Sequence, residues 1–166
     1  MTTRIGILSD THLYRCEPAF RKMADLAFRE CTIIIHAGDM TDPSILAAFP
    51  HQQIWAVHGN MCNQTARAGF PESRREHIDG YTIAICHGAG NRMNIEERLF
   101  ARFHDVDCIV YGHTHRPVIH QFGDVLFINP GSFQATSPYG SPASYAILET
   151  TATGLQARLN KVRFPG

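Results

Sequence analysis

Seven side chains stand out for the chemistry their types and spacing allow: Asp10, His12, Asp39, Asn60, His87, His113 and His115. Each closes a short apolar, β-branched run. "RIGILSDTH" stops at Asp10 and His12, "TIIIHAGD" at Asp39, and "QIWAVHGN" at Asn60. "YTIAICHG" stops at His87, and "CIVYGHTH" at His113 and His115. The set offers imidazole nitrogens, carboxylates and one amide oxygen, with no cysteine. Such mixed donors suit Mn²⁺, Fe²⁺, Zn²⁺, Ni²⁺ or Co²⁺ better than Ca²⁺ or Mg²⁺. Asp10-Thr11-His12 and His113-Thr114-His115 are pairs that skip one residue. After a sharp turn, such a pair can aim at one ion or at two neighbouring ions. Asp39 can give one carboxylate oxygen to each of two ions. Two ions about 3.5–4 Å apart make a clamp for in-line displacement at phosphorus. Gly38 and Gly59, each next to a ligand-type residue, allow close backbone approach and unusual φ/ψ.

The runs that end in these residues have strand length and composition. Helical patterns lie between them. Residues 18–29 place Phe20, Met23, Leu26 and Ala27 at helical spacing, with Pro18 in the first turn. "TDPSILAAF" offers Asp42 as N-cap and Pro43 at the first helical position. "NIEERLFARF" puts Ile95, Leu99 and Phe103 on one face. Strands alternating with helices predict a mainly parallel sheet. After residue 116 the pattern changes to hairpins, one around Gly123-Asp124 and one around Thr153-Gly154, so the second half is expected to be antiparallel. The expected fold is α/β (α+β): a four-layer αββα sandwich, two mixed sheets face to face with helices outside. In open α/β sheets, ligands bind beyond the carboxyl ends of strands, which is where all seven residues fall.

The chain has 166 residues, which fits a single domain over 1–166 with a sizeable core. Its net formal charge is zero, which points to neither nucleic acid nor an anionic membrane surface as partner. Ten histidines against fifteen acidic residues is a high count for the commonest metal-ligand side chain. The five cysteines show no C-x-x-C spacing, which excludes a zinc ribbon. Cys31, Cys86 and Cys108 read as small core hydrophobes, and a reducing cytoplasm is expected. The first residues, "MTTRIGILSD", resemble neither a signal peptide nor a membrane span.

In order along the chain, the blocks D-x-H, G-D, G-N, an isolated H and G-H-x-H resemble the calcineurin-like metallophosphoesterase superfamily. They stand here as Asp10/His12, Gly38-Asp39, Gly59-Asn60, His87 and Gly112-His113-Thr114-His115. "NPGS" at 129–132 and "GSPASYAILE" at 140–149 are similar to the small bacterial and archaeal phosphodiesterases of that family. The resemblance implies two divalent transition-metal ions, manganese foremost, with nickel, iron, zinc or cobalt as alternatives. It implies one ion held by Asp10, His12, Asp39 and His115, and another by Asp39, Asn60, His87 and His113. Asn60 and His113 are also placed among the catalytic residues. A metal-bridging hydroxide would attack a small phosphodiester in line. His58, Arg92, Arg116 and Ser132 are expected to contact substrate. Larger family members often carry a histidine after the G-N block, whereas here Met61, Cys62 and Asn63 follow, which leaves the leaving group's proton donor unassigned. A phosphomonoesterase or pyrophosphatase would use the same metal pair. The retromer scaffold subunit is similar in fold with a degraded metal site, so a scaffold is a third reading, and the second-half strands suit a homo-oligomer.

Histidines outside the series are read as structural or exposed: His36, His51, His77, His104 and His120. His36, inside an apolar run, reads as a satisfied core histidine. Trp55, Phe20 and Met23 read as core, and Cys62 as a bystander thiol near the site.

Overall fold

A computed structural model describes residues 1–134 and 142–164. Residues 140 and 141, part of the "GSPASYAILE" segment, lie outside them. Ten strands form two five-stranded sheets. The first sheet has the order β10-β9-β1-β2-β3, from β1 (Arg4–Leu8), β2 (Ile33–His36), β3 (Gln53–Ala56), β9 (Ser144–Thr151) and β10 (Gly154–Lys161). The second has the order β4-β5-β6-β8-β7, from β4 (Ser73–Ile78), β5 (Tyr81–Cys86), β6 (Cys108–Val110), β7 (Val118–Phe122) and β8 (Val125–Asn129). Both sheets are mixed. β1, β2 and β3 pair parallel, as do β5, β6 and β8, while β9, β10, β4 and β7 add antiparallel edges. The second half is therefore only partly antiparallel. Its two hairpins form at the expected turns, but β8 returns to lie parallel to β6.

Strand periodicity builds the layers, because successive side chains point to opposite faces. Ile5, Ile7, Ile33, Ile35, Ile83, Ile85, Val110 and Ile128 meet between the two sheets. Leu8 and Ile34 face the other way and pack with Phe20, Met23, Phe28 and Phe49 under α1 (Pro18–Phe28) and the 3₁₀ helix Pro43–Ala48. Ala84, Cys86, Ile109 and Phe127 pack on the opposite outer face against Ile95, Leu99 and Phe103 of the α3 segment (Ile95–Arg102, with Phe103 as its C-cap). Each central strand is covered on both faces, which explains runs that are apolar throughout rather than alternating.

Two helical readings shift. On α1 the buried face is Phe20, Met23, Ala24 and Phe28, while Leu26 is 46% exposed. The stripe follows i, i+3, i+4 and i+8, and Leu26 lies to its side. The Asp42–Pro43 start is confirmed, with the Ser44 N–H donating to Asp42 Oδ1 at 2.8 Å, but the element it opens is 3₁₀. Trp55, Phe20 and Met23 are core. Among the described residues no helix is long and apolar enough to cross a membrane.

Candidate metal centre

The carboxyl ends of β1, β2, β3, β5 and β6 carry the seven residues, three ends from one sheet and two from the other. The sandwich brings these two sets of ends together. At the turns the backbone is held in the left-handed region: Asp10 has φ 53°, His12 48°, Asp39 56°, His113 70° and His115 59°. Non-glycine residues rarely adopt this conformation, and it costs roughly 1–3 kcal/mol per residue. Both members of each skip-one pair adopt it, so the turns re-aim the side chains off the strand axis.

Two close groups of ligand-type atoms result, Asp10 with His12 and His115, and Asp10 with Asp39 and His87. Asp10 is common to both, while Asp39 enters one. Asp10 Oδ1 lies 3.2 Å from His115 Nε2, 3.7 Å from His12 Nε2 and 3.8 Å from His87 Nε2. Asp39 Oδ2 lies 3.0 Å from His87 Nε2. The other carboxylate oxygens are anchored. Asp10 Oδ2 accepts from Ser9 Oγ at 2.8 Å and from the His113 N–H at 3.2 Å, and Asp39 Oδ1 accepts from the Met61 N–H at 2.7 Å.

Backbone carbonyls, which can only accept, decide which ring nitrogens face the centre. His87 donates from Nδ1 to the Ala37 carbonyl at 2.8 Å, which turns its Nε2 toward the carboxylates. His113 donates from Nε2 to the Gly90 carbonyl at 2.9 Å, which leaves Nδ1 as its lone-pair nitrogen. Its ring lies 5.2 Å from that of His87. These are the outer contacts that orient metal-ligating histidines. Asn60 is exposed beside the cluster. With His58 and His87 it lines a cavity of about 290 Å³.

The arrangement fits divalent cations. His12 Nε2 is buried without a hydrogen-bond partner among the described residues, the Asp10 carboxylate lying 3.7 Å away. Buried polar atoms are rarely left so. Burial pushes Asp10 upward, but the imidazoles of His115, His12 and His87 gathered round it outweigh that and hold Asp10 below the usual carboxylate range. Burial likewise opposes the ionised Asp39, and His87 overcomes it. Burial lowers His113, which keeps its imidazole neutral as a ligand must be.

His36 contrasts with these. It is fully buried, accepts the Gly38 N–H at Nδ1 (3.2 Å) and places Nε2 3.1 Å from Thr11 Oγ1. Burial lowers it to about 4 from 6.5. In the metal-free protein, His36 is expected to cost stability as pH falls from about 6.5 to about 4. In that window the unfolded chain takes up a proton that the folded one refuses. The added slope, up to about 1.4 kcal/mol per pH unit, should vanish in His36→Gln. Equal slopes for the two proteins in urea unfolding from pH 7 to pH 4 would overturn this.

The residues expected at substrate separate. Arg92 and Arg116 are exposed and line a groove of about 590 Å³ with Thr114, and Arg92 Nε donates to the His113 carbonyl at 3.4 Å. Ser132 is buried and gives its hydroxyl to the Asp10 carbonyl at 2.8 Å, tying the exit of β8 to the Asp10 turn. Cys62 is buried, and its sulfur accepts the Gly59 N–H at 3.2 Å, a structural bond within the Asn60 turn. Sequence reasoning missed Arg67, which clamps that turn through the carbonyls of Asn60 (2.7 Å) and Cys62 (3.1 Å). It sits on α2 (Gln64–Gly69), a helix of little more than one turn without an apolar stripe to announce it.

Residues 3–153 match the calcineurin-like phosphoesterase superfamily domain. A probable metallophosphoesterase of Methanothermobacter thermautotrophicus is 30% identical over 97% of this chain and 94% of its own. A phosphodiesterase of Methanocaldococcus jannaschii is 31% identical over 77% of this chain and 82% of its own. Vps29 of Entamoeba histolytica, complexed with zinc, shares the fold at a TM-score of 0.70 and 20% identity, over 96% of this chain and 98% of its own. The chain belongs to the calcineurin-like phosphoesterase superfamily, in the branch of small archaeal and bacterial phosphodiesterases.

Proposed function

We propose that the protein is a dinuclear-metal-dependent phosphodiesterase acting on small phosphodiesters. The observation that carries the reading is the convergence of Asp10, His12, Asp39, His87 and His115 from two sheets, with two buried carboxylates facing their ring nitrogens. Asp10, His12, Asp39 and His115 would hold one ion, and Asp39, Asn60, His87 and His113 the other. Bound there, the pair would supply Lewis acidity and activate water for in-line displacement at phosphorus.

The chain's own residues prepare that chemistry. The Ala37 and Gly90 carbonyls fix the tautomers of His87 and His113. Arg92 and Arg116, flanking the histidine loop, suit the phosphate oxygens. Cys62 is turned inward on the Gly59 N–H, so it does not protonate the leaving group. Esters with acidic leaving groups, which need no general acid, are therefore the favoured substrates. The phosphodiesterase relative supports the diester.

The test uses protein stripped of metal and resupplied with Mn²⁺, Ni²⁺, Zn²⁺ or Mg²⁺, assayed on bis-p-nitrophenyl phosphate beside p-nitrophenyl phosphate. Metal-dependent cleavage with the diester faster is expected. A faster monoester would make it a phosphomonoesterase. Bound metal with no turnover of either ester would favour a scaffold, the second reading, which the likeness in fold to Vps29 supports.

A further inference from the structure

The groove of about 590 Å³ beside the centre combines two kinds of surface. Its near end is the metal-site loop itself: Thr114 lies between the two loop histidines, and Arg92 and Arg116 stand beside it. Thr114 is held in place, its Oγ1 accepting from Asn129 Nδ2 at 2.9 Å and from the Arg116 N–H at 3.2 Å. Much of the rest of its lining is apolar and open. Phe122 is 52% exposed and meets Phe100 edge-on at 4.9 Å between ring centroids, and Met93 is 97% exposed. Three large apolar side chains left in water along one cavity mark a binding surface.

One wall is polar. Glu96 accepts from the Tyr111 hydroxyl at 2.8 Å on Oε1 and from His120 Nδ1 at 2.6 Å on Oε2. The triad belongs to none of the ligand groups, and it brings His120, read from sequence as structural or exposed, into the groove wall. A carboxylate in the wall of an apolar groove opposes an anionic tail and wastes the contact of a plain alkyl chain. Each of its oxygens keeps acceptor capacity for an N–H edge.

We infer that this groove is the subsite for the substrate's organic substituent, and that it takes a planar aromatic group with a hydrogen-bonding edge, of the nucleobase kind. The phosphate lies at the Arg92–Arg116 end, the ring stacks on Phe122, and its edge meets Glu96. The inference rests on the phosphodiesterase reading for its substrate but not for its binding test.

Calorimetry on the metal-loaded protein would compare diphenyl, dibutyl and dimethyl phosphate, all poorly hydrolysed. Stacking on one aromatic side chain is worth about tenfold in affinity. Diphenyl phosphate is therefore expected to bind at least about tenfold tighter than dimethyl phosphate and tighter than dibutyl phosphate. Phe122→Ala should remove most of that preference while metal content stays unchanged. Met93→Ala, on an exposed loop, should reduce it in part. Equal affinity for dibutyl and diphenyl phosphate, or an unaltered preference in Phe122→Ala, would overturn the inference. An aryl preference in a protein that cleaves neither nitrophenyl ester would uphold the groove and refute the hydrolase reading, so the two fail separately.

Discussion

Asp10→Asn is expected to empty the metal position it forms with His12 and His115, to weaken the neighbouring one, and to lower turnover by roughly 10³-fold or more, the loss of several kcal/mol of charge stabilisation. Asp10 is the residue that both close groups share. It is wholly buried, and three imidazole nitrogens face its Oδ1 within 3.8 Å. Asparagine keeps the shape and can keep the bonds from Ser9 Oγ and the His113 N–H, so the turn should persist while the charge disappears. The three histidines then face a neutral amide, and a cation brought to them loses its central anionic ligand. Mass spectrometry of bound metal reads this directly, beside activity. Asp39→Ala should also lose metal and turnover, since Asp39 supplies the second buried carboxylate. His77→Ala changes an exposed histidine bonded to Thr82 and should retain full metal content. Normal metal content in Asp10→Asn would remove Asp10 from the centre.

Gly59→Ala should damage the site from outside its ligand set. A Cβ on Gly59 would stand 2.2 Å from Asp39 Oδ1 and 2.7 Å from the Asp39 nitrogen. Neither can move cheaply, because Asp39 Oδ1 is held by the Met61 N–H and the nitrogen belongs to a left-handed turn. The clash is a case of overpacking, worth about 1–3 kcal/mol. At about 2–4 °C per kcal/mol for a domain of this size, Tm should fall by roughly 3–10 °C. Metal affinity should fall with it, because Asp39 must shift. Gly69→Ala is the matched control: a Cβ there meets nothing within 4 Å, so it should leave Tm and metal binding near the parent values. Equal behaviour of the two variants would show that the β3 turn does not position Asp39.

The glycine beside Asp39 was visible in the sequence, but its partner was not. The same division runs through the molecule. Ligand types, their order and the strands they terminate could be read because each depends on covalent adjacency. A β-branched run announces a strand, and the residue after it must lie at the strand's end. The layered sandwich was legible for the same reason, since Ile5, Ile7, Ile33, Ile35, Ile83 and Ile85 alternate with residues that face helices. β4 was not legible. It reads Ser-Arg-Arg-Glu-His-Ile, an edge strand that exposes Arg75 and His77, half-buries Arg74 against Glu76, and takes its order from pairing with β5. The face of α1 was misjudged at Leu26 because a one-residue rotation of the stripe depends on what it packs against.

By itself, then, the sequence determined which side chains end the strands, the glycine turns that carry them and the family pattern they spell. Tertiary structure alone decided that β1, β2 and β3 join one sheet while β5 and β6 join the other, so that ends far apart in the chain meet at Asp10. It also decided which nitrogen of His87 and His113 faces the centre, because the Ala37 and Gly90 carbonyls make that choice across distant segments. The groove formed by Phe100, Phe122 and Glu96 was likewise decided by packing, for it exists only where the α3 region lies beside β7. The reason is common to all three: sequence records neighbours along the chain, whereas a site is made of neighbours in space.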